Sequence, residues 1–242
     1  MRLKPGSDAA LALGLARVLI EENWCDRDFI TSFTDLPLLV RLDNGKRLRA
    51  EEVEGLDVPS GIPPYREAFV AYNGHLVVVH PERLDLPADV ILDGQIEVRL
   101  KNGSRTKAKP VFSLLRDKLR TYTPAYVEGE TGVRREVLVR LAREMATTRP
   151  LHVIYGASAY QWYHGDLKGR ALALLPVLTG NLGQPGAGIS TYAGQYRIRF
   201  DIKSWWFPQS PKWVPWLYFL HGPTREMAAK YPAQGIKGLI FG

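Results

Sequence analysis

The chain has 242 residues, of which 45% are apolar, and it carries a formal net charge of +7. This length suits one large domain or two small ones, and the composition is that of a soluble globular protein with no stretch long enough to span a membrane. The single cysteine, Cys25, excludes a disulfide within the chain and any zinc or iron-sulfur site made from these residues alone. The positive charge favours an anionic ligand or partner.

The N-terminal part predicts two helices and a strand. Apolar residues recur at helical spacing in SDAALALGLARVLIEENW, where Ser7 stands at the N-cap and Asp8 complements the helix dipole. The segment DRDFITSFT predicts a short second helix. The segment PLLVRLD then predicts a strand that leads into an Asn-Gly turn.

Residues 44–110 predict β-hairpins inserted between helical segments. The stretch EAFVAYNGHLVVVH alternates around an Asn-Gly turn, and QIEVRLKNGSRTKAKPV repeats the pattern. The basic run KNGSRTKAK, which begins at Lys101, is more often a solvated turn than a nucleic-acid site. We therefore predict no nucleic-acid partner.

The remainder of the chain predicts an open α/β sheet. Three helices are expected in VFSLLRDKLRTY and in TPAYVEGETGVRREVLVRLAREMATT, followed by a buried parallel strand from Leu151 to Tyr155. A helix with glycine at its end follows in LKGRALALLPVLTGNLG, despite Pro176, and a further strand is expected near Ile236 to Phe241. This order of elements is typical of a Rossmann-like fold.

Two loops carry candidate binding residues. The loop YGASAYQWYHGD follows the predicted parallel strand, where ligands bind in open sheets, but it also suits a tight turn without a ligand. In TGNLGQPGAG, free backbone amides and the side chains of Asn181 and Gln184 could bind pyrophosphate, while composition alone favours a glycine-rich connector. Neither loop has the Walker or G-x-G-x-x-G pattern, so ATP or classical dinucleotide binding is not supported.

His164 is the candidate catalytic residue. It stands beside Tyr163 and Asp166, and a histidine near an acid can transfer protons or orient an anion, although a structural role is more common. No second histidine stands at metal-ligand spacing, so we expect no metal held by this chain alone.

Several motifs together resemble one enzyme family. They are KPGSDAALALGLARVLIEE, TPAYVEGETGV, YGASAYQWYHGDLKGRALALLPVLTGNLGQPGAG and YAGQYRIR, in this order. The set resembles the catalytic subunit of the molybdenum bis(molybdopterin guanine dinucleotide) oxidoreductases, the dimethyl sulfoxide reductase family. WYHGD and the hairpin region are most similar to the respiratory nitrate reductase and nitrite oxidoreductase branch, whose relatives also act on selenate, chlorate, dimethyl sulfide and hydrocarbons.

The resemblance implies roles for individual residues. The free backbone amides of the glycine-rich loops would bind half of a large anionic cofactor, and His164 would stand at the substrate funnel. The implied cofactor-binding residues are Ser7 and Asp8 near a guanine, Gly156, Ser158 and Gln161 in the pterin or guanine pocket, Thr179 and Asn181 at the phosphate turn, and Gly194 and Gln195 beside the metal.

The resemblance also implies an organisation. Residues 1–43 would begin an α/β cofactor-binding domain, residues 44–110 would be the hairpin-rich insertion, and residues 111–242 would hold the Rossmann-like part. We expect an internal fragment of a larger subunit, whose missing N- and C-terminal domains would carry the iron-sulfur cluster, the molybdenum ligand and the rest of the cofactor site. An iron-sulfur electron-transfer subunit would be the partner and a small oxyanion the substrate.

Two alternatives stay open at this point. The same kind of enzyme could act on another oxyanion or on a reduced sulfur compound. The chain could instead be a non-catalytic nucleotide-binding α/β module. A prokaryotic source is expected, whereas the sequence does not distinguish a cytoplasmic from a periplasmic location.

Overall fold

The N-terminal helix α1, Asp8–Glu21, lies at the centre of the fold. The computed structural model describes residues 2–58, 60–62, 67–81, 86–87, 89–156 and 163–191, which belong to one compact unit, Met1–Tyr192. Because α1 is buried along most of its length, helices pack against it from several sides. Gly14 permits the approach of α4, since a Cβ atom there would collide with the side chain of Val127.

The remaining helices follow the predicted pattern. The sequence motifs predicted α2 and the three helices α3, α4 and α5, and the structure confirms all four. Their bounds are α2, Arg27–Phe33, α3, Val111–Leu119, α4, Pro124–Thr131, and α5, Arg135–Thr147. Ser7 is the N-cap residue of α1, as predicted, but its side chain makes no capping hydrogen bond. Its hydroxyl donates to the carbonyl of Lys4 at 2.7 Å and accepts nothing from the helix.

The hairpins form as predicted, in two antiparallel sheets. One is the hairpin of β2, Phe69–Tyr72, and β3, Leu76–Val79. In the other, β5, Arg105–Pro110, pairs with both β1, Leu39–Arg41, and β4, Ile96–Arg99. The basic run KNGSRTKAK comprises the exposed turn between β4 and β5, residues 101–104, and the first five residues of β5.

Two clusters of buried apolar side chains hold these elements together. The larger one joins α1 to the other helices and includes Leu19, Ile30 and Leu138, together with Ala71 and Val79 from the β2–β3 hairpin. The smaller one lies in the hairpin region and includes Leu39, Leu48, Val53, Val70 and Val98. The hairpin region therefore contributes to both cores.

A parallel βαβ unit forms the last described part of the chain. It consists of β6, His152–Ile154, a helix α6, Gly165–Leu178, and β7, Gly188–Ser190, which pairs with β6 in parallel. With the helices, it makes the fold mixed α/β, as predicted, although the other strand pairs among the described residues are antiparallel. The strand predicted near Ile236 to Phe241 lies outside the described residues.

The predicted burial of β6 is wrong. Its alternate side chains, His152 and Ile154, are exposed, and Ile154 keeps 79% of its surface accessible. In the described part of the chain β6 pairs with β7 alone, and α6 packs against it. An apolar strand sequence indicates two covered faces only where a second layer of structure is present. No described helix combines the length and the apolar character needed to cross a bilayer.

Candidate functional site

The two ends of α6 separate the predicted binding residues into two groups. Because β6, α6 and β7 form a parallel crossover, α6 begins at the edge where the strands end and finishes at the edge where they begin. A helix of 14 residues is about 21 Å long. We call the first edge the carboxyl-end cluster (Asp8, Gly156, His164, Lys168 and Thr191) and the second the amino-end connection (residues 179–187).

An ion pair links α1 to α6 within the carboxyl-end cluster. The ammonium nitrogen of Lys168 lies 3.9 Å from Oδ2 of Asp8. The Lys168 side chain is 10% exposed and that of Asp8 is 32% exposed. Buried lysines require a compensating charge, which Asp8 supplies here, and the distance exceeds that of a hydrogen bond. The pair therefore presents an ammonium and a carboxylate side by side.

Parallel packing explains why these two residues meet. Asp8 is in the first turn of α1 and Lys168 in the first turn of α6, and at the other end of the two helices the N–H of Asp26 donates to the carbonyl of Leu178 at 2.8 Å. The two helices therefore run in the same direction, and their positive N-termini lie at the same end.

His164 is the N-cap residue of α6. Its backbone is left-handed, with φ of 56°, and its carbonyl accepts hydrogen bonds from the N–H groups of Leu167 and Lys168. The imidazole is exposed, and its centre lies 3.9 Å from the ring centre of Tyr163. Exposure at the edge where ligands bind is compatible with the predicted substrate contact, which stays a prediction.

Gly156 and Thr191 follow the two parallel strands at the same edge. A Cβ atom on Gly156 would meet no atom within 4 Å, so a ligand can approach its backbone. The hydroxyl oxygen of Thr191 is buried and has no hydrogen-bond partner among the described residues. An unpaired buried hydroxyl is unfavourable unless a ligand or water completes it. Both observations fit a bound polar molecule at this edge.

The amino-end connection is held together by side-chain hydrogen bonds. Asn181 is fully buried, and its side-chain oxygen accepts from the N–H of Leu151 at 2.9 Å. Its amide nitrogen donates to the carbonyl and to the hydroxyl of Thr179, at 3.2 and 2.9 Å. The hydroxyl of Thr179 in turn donates to Leu175. These bonds use both amide hydrogens of Asn181 and the hydroxyl hydrogen of Thr179, so neither side chain has a donor left for a phosphate.

This geometry separates two residues that the resemblance had grouped with the cofactor. Thr179 and Asn181 lie about 20 Å from the carboxyl-end cluster, at the far end of α6. Their predicted position at the phosphate turn of the cofactor stays a prediction.

Asp26 holds the same connection from the other side. Its carboxylate accepts from the N–H of Phe29 at 2.9 Å, which caps α2, and from the guanidinium of Arg149 at 2.5 Å. It also lies against Gly180, where φ is +67° and a Cβ atom would collide with the carboxylate. Burial raises the pKa of Asp26, but the bonds from Phe29 and Arg149 outweigh this effect and leave the pKa below its ordinary value of 3.8.

The remaining predicted site residues have no described environment or a local role. Ser158, Gln161, Gly194 and Gln195 lie outside the described residues, so their predicted cofactor contacts stay predictions. Ser7 is adjacent to Asp8 at the carboxyl-end cluster, although its hydroxyl is bonded to Lys4. Within the described ranges, no three histidine, cysteine, aspartate or glutamate side chains come together as a metal site.

Sequence reasoning did not select Lys168. The helical spacing indicated that Lys168 is buried, because it stands three residues before Ala171 and seven before Leu175, on the apolar face of α6. A lysine at such a position is either a buried ion pair or a ligand contact.

The sequence agrees with one protein family over nearly its full length. The model of that family, described as molybdopterin oxidoreductase, matches residues 1–235. The chain belongs to the molybdopterin oxidoreductase family. The family name implies a molybdenum–pterin cofactor. Among the described residues of this molybdopterin oxidoreductase chain, those at the open edge of the βαβ unit fit a bound polar molecule.

Named relatives of this molybdopterin oxidoreductase chain include reductases of several oxyanions. The respiratory nitrate reductase subunit alpha of Haloferax mediterranei is 37% identical, over 80% of this chain and 21% of that protein. The perchlorate reductase subunit alpha of Dechloromonas aromatica is 34% identical, over 86% of this chain and 25% of that protein. The respiratory nitrate reductase 1 alpha chain of Escherichia coli is 24% identical, over 93% of this chain and 25% of that protein. The chain spans a fifth to a quarter of the length of these relatives.

Proposed function

We propose that this chain holds part of a molybdenum bis(molybdopterin guanine dinucleotide) cofactor in an enzyme that reduces, or forms, an oxyanion such as nitrate. The observation that carries the proposal is the family match over residues 1–235, together with the carboxyl-end cluster at the ligand-binding edge of the βαβ unit. The names of the relatives support the oxyanion class.

Each member of the carboxyl-end cluster would hold the cofactor in a different way. The carboxylate of Asp8 can accept hydrogen bonds from a guanine, which has an N1–H and an amino group on one edge. The free amides at the start of α6 and the positive ends of α1 and α6 favour a pyrophosphate. Gly156 offers open backbone, and the unpaired hydroxyl of Thr191 offers a further donor.

The protein would contribute binding and orientation to the reaction. Reduction of nitrate to nitrite consumes two electrons and two protons and releases water, and the molybdenum cofactor supplies this two-electron chemistry when bound. The exposed imidazole of His164, at the same edge, would attract and orient the anion. The amino-end connection would keep α6 in place, so that the residues in its first turn keep their positions beside the first turn of α1.

Nitrate is the substrate that we propose first, because the nitrate reductase of Haloferax mediterranei is the relative with the highest identity among those given above. The perchlorate reductase is nearly as similar, and a chlorate reductase subunit alpha of Ideonella dechloratans is 29% identical over 78% of this chain. Electrons would reach the site through iron-sulfur clusters, in other domains of the subunit and in a partner subunit.

The proposal is tested on the purified enzyme that contains this chain. Molybdenum is measured by mass spectrometry, and the nucleotide released by acid hydrolysis is identified by chromatography. Nitrate, chlorate, perchlorate and dimethyl sulfoxide are each offered with a reduced dye as electron donor. Molybdenum, GMP and nitrate reduction are the expected results. An enzyme that holds GMP but neither molybdenum nor activity would instead indicate the non-catalytic nucleotide-binding module.

A further inference from the structure

A cavity lies at the end of α1 that is remote from the carboxyl-end cluster. Its volume of about 500 Å³ is in the range of ligand-binding pockets. The last turn of α1, the helices α2 and α3, and the segment before β4 supply its apolar lining residues, which are Ile20, Ile30, Ile91, Leu92 and Phe112. Ile91 keeps 38% of its surface accessible, so the cavity reaches the surface of the described part of the chain.

A smaller groove, of about 130 Å³, continues this cavity along α1 and α3. It shares Ile20 and Arg116 with the cavity, and its other lining residues are Arg17, Glu21, Leu119 and Arg120. We call the cavity and the groove together the arginine groove, because four arginines line them: Arg17, Arg27, Arg116 and Arg120.

Three of these four arginines have carboxylate partners. Arg17 pairs with Glu21, Arg116 with Asp93, and Arg120 with Asp117. The excess positive charge of the arginine groove therefore belongs to the fourth, Arg27, whose side chain also lines the cavity.

Arg27 has donors left for an anionic group. Its guanidinium donates to the carbonyl of Val90 at 2.5 Å, and among the described residues it forms no ion pair with a carboxylate. A guanidinium carries five N–H donors, so this one bond leaves most of them unused. The arginine groove thus combines an apolar cavity with an adjacent unpaired cation.

We infer that the arginine groove is a docking surface for an acidic, apolar segment of the same subunit, which lies beyond residues 1–242. An apolar side chain of that segment would fill the cavity, and a neighbouring carboxylate would pair with Arg27. Apolar pockets beside an arginine are typical of protein interfaces. The inference rests on the larger subunit assumed in the proposed function, and it concerns neither the cofactor nor the substrate.

The length of the relatives favours the same subunit as the source of this segment. The chain spans 21% of the Haloferax mediterranei protein and 25% of the Dechloromonas aromatica protein, so most of such a polypeptide lies outside these residues. Covalent linkage gives that remainder a high effective concentration at the arginine groove. Docking there would remove apolar surface from water and add a charge-assisted hydrogen bond to Arg27.

A photo-crosslinking amino acid identifies the occupant in the full-length enzyme. The variant Ile91→p-benzoylphenylalanine places the reactive group at the rim of the cavity, and the irradiated enzyme is analysed by peptide mass spectrometry. Val139→p-benzoylphenylalanine is the matched control, because Val139 is 37% exposed and lies on α5, outside the arginine groove. We expect position 91, and not position 139, to cross-link to an aspartate- or glutamate-containing segment of the same polypeptide beyond residues 1–242.

The charge is tested by adding Arg27→Glu to the Ile91 variant. A carboxylate in the first turn of α2 suits the helix dipole, whereas it repels an acidic partner. We expect the yield of the cross-link to fall about tenfold. Arg143→Glu is the control, because Arg143 is an exposed arginine of α5 outside the arginine groove, and it should leave the yield unchanged.

Several outcomes would overturn the inference. They are a cross-link from position 91 to a partner subunit, a cross-linked segment without a carboxylate, no cross-link beyond residues 1–242, and a yield that Arg27→Glu does not lower. The first three are read without Arg27→Glu, so the test does not depend on the folding of that variant.

These outcomes are separable from a failure of the proposed function. An enzyme that lacks molybdenum and still forms the expected cross-link contradicts the proposed function alone. An active molybdenum enzyme without the cross-link contradicts the docking surface alone.

Discussion

The side-chain oxygen of Asn181 accepts a hydrogen bond from the backbone N–H of Leu151 at 2.9 Å. This contact joins the connection after α6 to the residue that precedes β6, and it is made by a fully buried side chain. Because α6 is anchored at this end, its first turn is held against α1 at the other end. The amino-end connection thus supports the candidate site without contacting it.

Replacing Asn181 by alanine should destabilise the protein strongly. The substitution leaves the N–H of Leu151 without its acceptor, and the Thr179 hydroxyl keeps only its bond to Leu175, a loss that typically lowers the free energy of unfolding by about 1–3 kcal/mol. Urea denaturation measures the change. Gln184→Ala, in the same connection but exposed, is the control and should change stability by no more than about 0.5 kcal/mol. Equal effects of the two substitutions would contradict a structural role of Asn181.

Gly180→Ala should be more damaging than Gly183→Ala. Both glycines have positive φ, of 67° and 76°, so alanine at either position is strained by about 1–2 kcal/mol. At Gly180 the added methyl group also collides with the carboxylate of Asp26, whereas at Gly183 it meets no atom within 4 Å. The collision adds about 1–3 kcal/mol. The difference between the two denaturation midpoints therefore isolates the contact with Asp26, and identical midpoints would show that this contact is not close.

The stability of the protein should decrease in acid partly because of Asp26. Its pKa is lower in the folded state than the ordinary value of 3.8, so the unfolded chain binds the proton more tightly. The stabilising contribution is complete above pH 3.8 and is lost as the pH falls through the folded-state pKa.

Asp26→Asn keeps the acceptor that caps α2 and removes this titration. Thermal unfolding from neutral pH to about pH 2 should therefore show a smaller loss of stability in acid for the variant than for the wild type. Asp28→Asn, in the exposed first turn of α2, is the control. If the Asp26→Asn variant lost as much stability in acid as the wild type, other carboxylates would account for the loss.

Cys25 should react slowly with alkylating reagents in the folded protein. Burial, reinforced by the neighbouring Asp26 carboxylate, raises the pKa of its thiol to about 12. The thiolate is the reactive form, so at about pH 8 its concentration falls about a thousandfold below that of a free cysteine. Since the chain has no other cysteine, mass spectrometry after iodoacetamide treatment reports on this site alone. Modification of the native protein at the rate of the urea-unfolded chain would contradict the burial.

Periodicity and turn chemistry were sufficient to predict the elements. The apolar spacing of α1 and the Asn-Gly turn between β2 and β3 act within a few residues, and both elements form as predicted. The order of strand, helix and glycine-rich loop likewise predicted an open parallel sheet and the edge at which ligands bind, whereas β7, the strand that pairs with β6, was not predicted. The sequence motifs also indicated the family, which the match over residues 1–235 shows.

The sequence could not assign each residue to one end of that unit. TGNLGQPGAG has the glycines and amides of a phosphate-binding turn, but Thr179 and Asn181 stand where α6 ends, and their donors are used internally. Conversely, Lys168 lies within a quoted family motif but was given no role there, and it became a candidate only because α1 packs beside α6.

The sequence by itself therefore determined the helices, most of the strands and the family, because these depend on local spacing and on ordered motifs. The tertiary structure decided which of the polar residues meet. Asp8 and Lys168 are far apart in the chain, and their contact follows from the parallel packing of two helices. The physical reason is that burial and charge pairing arise between elements, through long-range packing that no local pattern encodes.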